Sequence, residues 1–241
     1  MGLRKFFRHM RRYNWTYVRN KTYDSTLRKA VESGIHSKRL HRIYPGLEKT
    51  FELQKDDLRR ILLPFFEEYI RDVSSEIMAI SLELSAFLLF LCDLRRPRRI
   101  LDLGSGFSSF VFRHHMSGAN PKPDVWSVDD SREWLDKTRS FLTRRNLPAD
   151  RLISWDDFVR QDPGRFDLIL YDLGGFEFRK NSLVRVLRSA EAGGVLILDD
   201  VHAADYGRYV IRALKDRNRD YFNIRSYTLD HYGRYSFFVP C

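Results

Sequence analysis

The chain has 241 residues, 43% of them hydrophobic, and a formal net charge of +10. That length allows one generous domain with an appendage, and no apolar run reaches the ~18–20 residues of a membrane span. Its two cysteines, Cys92 in an apolar run and Cys241 at the last position, exclude a disulfide framework and point to a reducing, cytoplasmic compartment.

The charge is unevenly placed. Residues 1–42 carry 12 Lys/Arg against two Asp/Glu, and the remainder carries 30 of each sign. The basic character therefore belongs to an N-terminal arm. Within it Leu3, Phe6, Phe7, Met10, Tyr13 and Tyr17 recur at three- and four-residue spacing, with Arg4, Lys5, Arg8, Arg11, Arg12 and Arg19 between them. That spacing predicts a basic amphipathic helix. Residues 1–20 could lie on an anionic membrane surface, grip nucleic acid, or pack their aromatic face onto the chain's own domain. The N-terminus lacks the apolar stretch of a signal peptide. Pro45-Gly46 marks a turn near the arm's end.

Leu58, Ile61, Leu62, Phe65, Phe66, Tyr69 and Ile70 follow helical spacing, with Pro64 expected to kink the helix or start a new one. Ser74 or Ser75 can cap a further segment. Ser81 to Leu94 is nearly all apolar and reads as a buried helix that ends at Arg95-Arg96-Pro97. The chain thus divides into the arm (1–49), a helical lead-in (50–97) and a main domain (98–241).

Ile100 to Phe112 reads as a strand, a tight turn and a helix start. Gly104 and Gly106 let the backbone turn sharply and approach a ligand, and Ser108 is placed to cap the helix. Such a turn, at the carboxyl end of a first strand, holds a small polar cofactor in doubly wound sheets. Asp124 to Asp129 is a second strand, ending 25 residues after Gly104 in an acid able to accept ribose hydroxyls. Asp130-Ser131 caps a helix from Arg132 to Asn146, and Arg151 to Trp155 is a third strand followed by Asp156 and Asp157. Phe166 to Asp172 is a fourth strand, and Gly193-Gly194-Val-Leu-Ile-Leu-Asp199-Asp200 leads through a fifth to His202. Ala203 to Arg217 reads as a helix. Phe222 to Asp230 and Tyr235 to Val239 read as a closing hairpin, with His231 and Tyr232 in its turn, away from the chemistry.

Asp102-x-Gly104-x-Gly106, Asp129, F-D-L-I-L-Y-Asp172 and G-G-V-L-I-L-Asp199-Asp200 occur in an order that resembles class I S-adenosylmethionine (SAM)-dependent methyltransferases. The pattern is nearest to the small-molecule O-methyltransferases of catechol, caffeoyl and sugar type. The resemblance implies an α/β fold: a doubly wound seven-stranded sheet of order 3-2-1-4-5-7-6 with a terminal antiparallel hairpin, preceded by helices that cover the cofactor. Ile80 and Ser81 would then line the site. It implies SAM as cofactor, contacted by Asp102, Gly104, Ser105, Gly106, Ser108, Asp129, Asp157 and Asp172. Catalysis would fall to Asp172, Asp199 and His202. Asp172, Asp199 and Asp200 would hold Mg²⁺, although Asp200 stands where the catechol enzymes carry Asn and no catalytic Lys follows Asp172. The acceptor would be a hydroxyl of a small molecule, sugar or glycolipid, and a homodimer is a further expectation.

Other readings are open on the residues. The basic arm suits an RNA or protein methyltransferase, but no N-P-P-Y or D-P-P-Y tetrapeptide occurs. A nicotinamide-dependent dehydrogenase would need a third glycine where Ser109 stands. A non-catalytic module that binds partners through its arm is a reading from a different class.

Overall fold

The structure is a computed structural model that describes residue 40 and residues 42–241. The amphipathic helix expected over residues 1–20 lies outside the described residues.

Two long helices lead in. The first, α1 (Leu47–Asp72), runs unbroken through Pro64 rather than restarting there. It buries Phe51, Leu58, Leu62, Phe66 and Tyr69 at helical spacing. Residues 73–80 form turns instead of the expected capped segment. The second, α2 (Leu82–Arg95), is buried nearly all round, and Ser81 caps it by accepting a hydrogen bond from the Leu84 amide at 3.0 Å.

Five parallel strands follow in alternation with helices: β1 (Arg99–Leu103), β2 (Asp124–Asp129), β3 (Leu152–Ser154), β4 (Phe166–Tyr171) and β5 (Ala190–Leu198). Between them lie α3 (Phe107–Gly118), α4 (Arg132–Thr143), α5 (Trp155–Gln161), α6 (Phe176–Arg188) and, after β5, α7 (Ala204–Lys215). The expected terminal antiparallel pair of strands is present, with its first strand much shorter than expected. Strand β6 is only Phe222–Asn223, a short helix α8 (Arg225–Thr228) follows, and β7 is Phe237–Pro240. The Asn223 side chain accepts from the Arg225 amide at 2.9 Å and turns the chain out of the sheet. β7 pairs antiparallel with both β5 and β6. The sheet order is β3-β2-β1-β4-β5-β7-β6, as the resemblance implied.

Strand residues alternate between two cores. Ile100, Leu168, Leu170, Val195, Ile197 and Phe238 pack against α1, α2 and α3, so the lead-in shares its core with the sheet. Leu101, Ile169, Tyr171, Leu196, Leu198 and Val239 face α6 and α7. Burial on both faces is what nearly continuous apolar strands require. The order reverses between β1 and β4, and there the carboxyl ends open a crevice.

Candidate active site

The crevice is a cavity of ≈ 580 Å³. Three backbone hydrogen bonds align its floor: Gly104 N–H to Val128 O at 2.8 Å, Asp172 N–H to Leu103 O at 2.7 Å, and Asp199 N–H to Tyr171 O at 3.1 Å. They set the ends of β1, β4 and β5 side by side.

Gly104 has φ +107°, and a Cβ there would lie 2.6 Å from the Asp172 carbonyl oxygen. Only glycine fits both the conformation and the approach. Ser105 then donates to Asp129 Oδ2 twice, from its amide at 2.7 Å and its hydroxyl at 2.9 Å. Ser131 N–H donates to Asp129 Oδ1 at 2.9 Å. Burial pushes the Asp129 carboxyl up to about 6, against these hydrogen bonds. Tyr69 from α1 reaches over the turn, its hydroxyl 3.0 Å from where a Gly106 Cβ would be. The N-cap of α3 is Gly106, not Ser108; Ser108 lies in the first turn and donates to Gly104 O at 3.3 Å.

The other end of the cavity is charged. Asp172, Asp199, Asp200 and His202 line it, together with Arg179 from α6 and Arg234 from the loop before β7. Arg179 is 6% exposed and its donors are heavily committed. Nη2 meets Asp172 Oδ1 at 2.6 Å and the Asp172 carbonyl at 3.0 Å; Nη1 meets Asp200 Oδ2 at 3.2 Å; Nε meets the Leu173 and Gly174 carbonyls at 3.2 and 3.1 Å. Burial works against the guanidinium's charge, but Asp172 and Asp200 outweigh it and raise its pKa. Burial also works to raise Asp200, yet Arg179, His202 and Arg234 hold it below the usual carboxylate range. Asp172 is pushed up by burial, against the pull of Arg179. Asp199 is pushed up to about 6 by burial and by the charge of Asp200, and its Oδ1 accepts from the Ser236 hydroxyl at 2.7 Å. Burial lowers the pKa of His202, so its imidazole is neutral near pH 7. Its Nδ1 lies 3.5 Å from Asp200 Oδ1 and makes no hydrogen bond.

Of the residues singled out from the sequence, Gly104, Ser105, Gly106, Ser108, Asp129, Asp172, Asp199, Asp200 and His202 all line this one cavity, as does Ile80. Ser81, Asp102 and Asp157 do not. Asp102 is fully buried below the turn, where it accepts from the hydroxyls of Ser109 at 2.5 Å and Ser127 at 2.9 Å. Asp157 sits in the first turn of α5, exchanging hydrogen bonds with the cap Ser154.

The acids expected to hold Mg²⁺ are already engaged by other side chains. Arg179 already bridges two of the three expected ligands, Asp172 and Asp200, and the third, Asp199, is held by Ser236. Among the described residues no group of three His, Cys, Asp or Glu side chains is arranged to hold a metal ion. The acids therefore do not fit one.

Arg179 and Arg234 were missed in the sequence, as were Tyr69 and Trp134 at the Gly104 end of the cavity. Arg234 comes from the last loop, whose His231 and Tyr232 do not line the cavity. Its guanidinium grips Asp230 at 2.5 Å and donates to the carbonyls of Glu76, Ile77 and Ala79 at 2.9–3.2 Å, and Tyr232 Oη donates to Glu76 at 3.1 Å. The loop thereby ties residues 76–79 over the cavity.

Solved structures share this architecture. The O-methyltransferase of Streptomyces achromogenes involved in tomaymycin synthesis, in complex with SAM, aligns with a TM-score of 0.55 at 18% identity, over 71% of this chain and 85% of its own. An SAH-bound Podospora anserina methyltransferase aligns at 0.60 and 15% identity, over 75% and 87%. A Bacillus cereus O-methyltransferase in complex with SAH aligns at 0.56 and 17%, over 78% and 92%. The chain has the class I methyltransferase fold. No protein-family model matches the sequence, and no curated protein is similar to it by sequence. In this methyltransferase fold, the Gly104 turn and Asp129 occupy the switch point where ligands bind in open α/β sheets.

Proposed function

We propose that the chain is a SAM-dependent O-methyltransferase acting on a hydroxyl of a small polar molecule, a sugar or a glycolipid. One observation carries this reading. A single cavity is lined by a glycine turn and five carboxylates, Asp129, Asp130, Asp172, Asp199 and Asp200, against two guanidiniums, of which Arg179 is paired with Asp172 and Asp200 and Arg234 with Asp230 outside the five. That set of acceptors fits a cationic cofactor with ribose hydroxyls and opposes the pyrophosphate of a dinucleotide. The SAM and SAH held by similar structures support the same cofactor.

When bound, SAM supplies an electrophilic methyl group. The chain's residues do the rest. Asp129 accepts from the ribose hydroxyls, with Ser105 and Ser131 fixing its carboxylate. Tyr69, Ser108 and Trp134 wall the cofactor end. Asp199 would take the proton of the acceptor's hydroxyl. A base with a pKa near 6 is matched to work at neutral pH. Asp172 and Asp200, held by Arg179, orient the acceptor's hydroxyls, and His202 stays neutral beside them. Much of the acceleration is positioning.

Methyl transfer from labelled SAM to a panel of catechols, sugars and glycolipids tests the reading. Transfer to at least one acceptor class, lost in Asp199→Asn, is expected; transfer only to RNA or protein would contradict it.

The same reading places the chain in the cytoplasm, in keeping with a free, buried Cys92. Among the described residues no helix is long and apolar enough to cross a membrane. The basic arm suits an anionic surface. Deleting residues 1–20 should abolish flotation with phosphatidylserine vesicles at low salt, and no flotation by the full chain would dispose of that role.

A further inference from the structure

We infer that Arg179 stands in the place of a divalent cation in this site, so that acceptor binding and methyl transfer are metal-independent. The inference rests on the proposed methyltransferase reading and concerns the acceptor end alone.

Three acids converge at the ends of β4 and β5, the arrangement in which hard oxygen ligands gather a Mg²⁺. Left to themselves, buried acids in such proximity would repel one another and attract a cation. Here the cation is built into the chain. Arg179 projects from the first turn of α6, and its planar fork binds Asp172 with one terminal nitrogen and Asp200 with the other. The remaining contacts to the carbonyls of Asp172, Leu173 and Gly174 lock the fork against the loop after β4. A guanidinium so fixed cannot swing out to admit an ion without leaving several backbone carbonyls unpaired in a buried site. Phe176 and Tyr206 stack near it, with the guanidinium carbon 5.5 and 6.0 Å from their ring centroids. The ligand set is therefore closed by charge and by packing.

This arrangement does what the metal would do for geometry, and less for acidity. It fixes the acids and partly neutralises them, but it offers no coordination position to the acceptor oxygen. Proton removal falls to Asp199, which Arg179 does not contact. Arg179 is thus a positioning residue.

The test is Mn²⁺ binding followed by electron paramagnetic resonance, with SAH affinity measured on the same samples. Wild-type protein should bind no stoichiometric Mn²⁺ at millimolar concentration, and neither Mg²⁺ nor EDTA should shift its melting temperature. Arg179→Ala frees the acids, and its Mn²⁺ affinity should rise by about tenfold or more, the scale on which one neighbouring charge weighs on a carboxylate. Adding Asp200→Asn should remove the gained site. A loss of folding would not move Mn²⁺ affinity in this direction. Stoichiometric Mn²⁺ on the wild type, weakened by Asp199→Asn, would overturn the inference, as would a folded Arg179→Ala that gains no ion. Should Arg179→Ala not fold, the wild-type Mn²⁺ and melting measurements decide alone. Failure of SAH to bind any sample would instead strike the methyltransferase reading.

Discussion

At the β1 end of the cavity the contacts are made by backbone and small side chains; at the β4–β5 end they are made by charged side chains that hold one another. The first end needs a glycine at φ +107°, two serines and one acid, all within residues 104–131. The second draws Asp172, Arg179, Asp199, Asp200, His202, Arg234 and Ser236 from four separate stretches of chain. Recognition by backbone tolerates little change, because the geometry is local and sterically closed. Recognition by balanced charge can change any one member if another compensates, so it is where an acceptor preference or a metal requirement can be altered.

The largest effect should come from breaking the charged end at its base. Asp199→Asn keeps the shape and the Ser236 hydrogen bond but cannot accept a proton. Turnover should fall by about 10²–10⁴-fold, while SAH affinity, measured by calorimetry, stays nearly unchanged. A mutant with full turnover would remove Asp199 from the chemistry. Gly104→Ala breaks the other end through the backbone. Its Cβ would lie 2.6 Å from the Asp172 carbonyl at an unfavourable φ, and the strain should lower stability by roughly 1–3 kcal/mol, read as a fall in melting temperature with weakened SAH binding. An unaltered melting curve would contradict the close approach of β1 and β4.

A smaller effect sharpens the contrast. Asp129→Ala should weaken SAH by about 1–3 kcal/mol, leaving ribose hydroxyls unpaired, with no effect on the pH dependence of turnover at saturating SAM. In the wild type, SAH affinity should fall as the pH drops through about 6, because protonation of Asp129 removes a charged acceptor. Turnover at saturating SAM should show an acid limb near the same pH through Asp199. Separate mutants distinguish the two limbs. The smallest effect belongs to Asp157→Ala. If Asp157 serves α5 and not the cofactor, SAH affinity should change less than about twofold, within the scatter of distant sites; a large loss would bring it into the site.

The same contrast governs what could be read from residues alone. The cofactor end lies in a strand–turn–helix unit whose glycines and strand-end acids recur at fixed spacing, so Gly104, Ser105, Gly106 and Asp129 were legible. The sheet order came from the resemblance to class I methyltransferases, which the structure bears out. Asp172, Asp199 and Asp200 were legible as strand ends, but their balance was not. Arg179 stands among the charged residues of an amphipathic helix and looks in sequence like any solvated arginine. Its burial depends on the loop after β4 folding back over it. Arg234 was hidden for a related reason: its partners, Glu76 to Ala79, lie more than 150 residues away. Asp102 carried the right spacing for the cofactor but points into the polar network of Ser109 and Ser127, with Arg113 beside it on Ser127. The first strand of the terminal hairpin was read too long because strand propensity in residues 222–230 gives way to a local turn at Asn223.

Isothermal calorimetry with SAH, SAM and NAD on the full chain tests the central claim most directly. Micromolar binding of SAH and SAM, none of NAD, and weaker binding of both in Asp129→Ala is the predicted result; binding of NAD alone, or of none of the three, would contradict it.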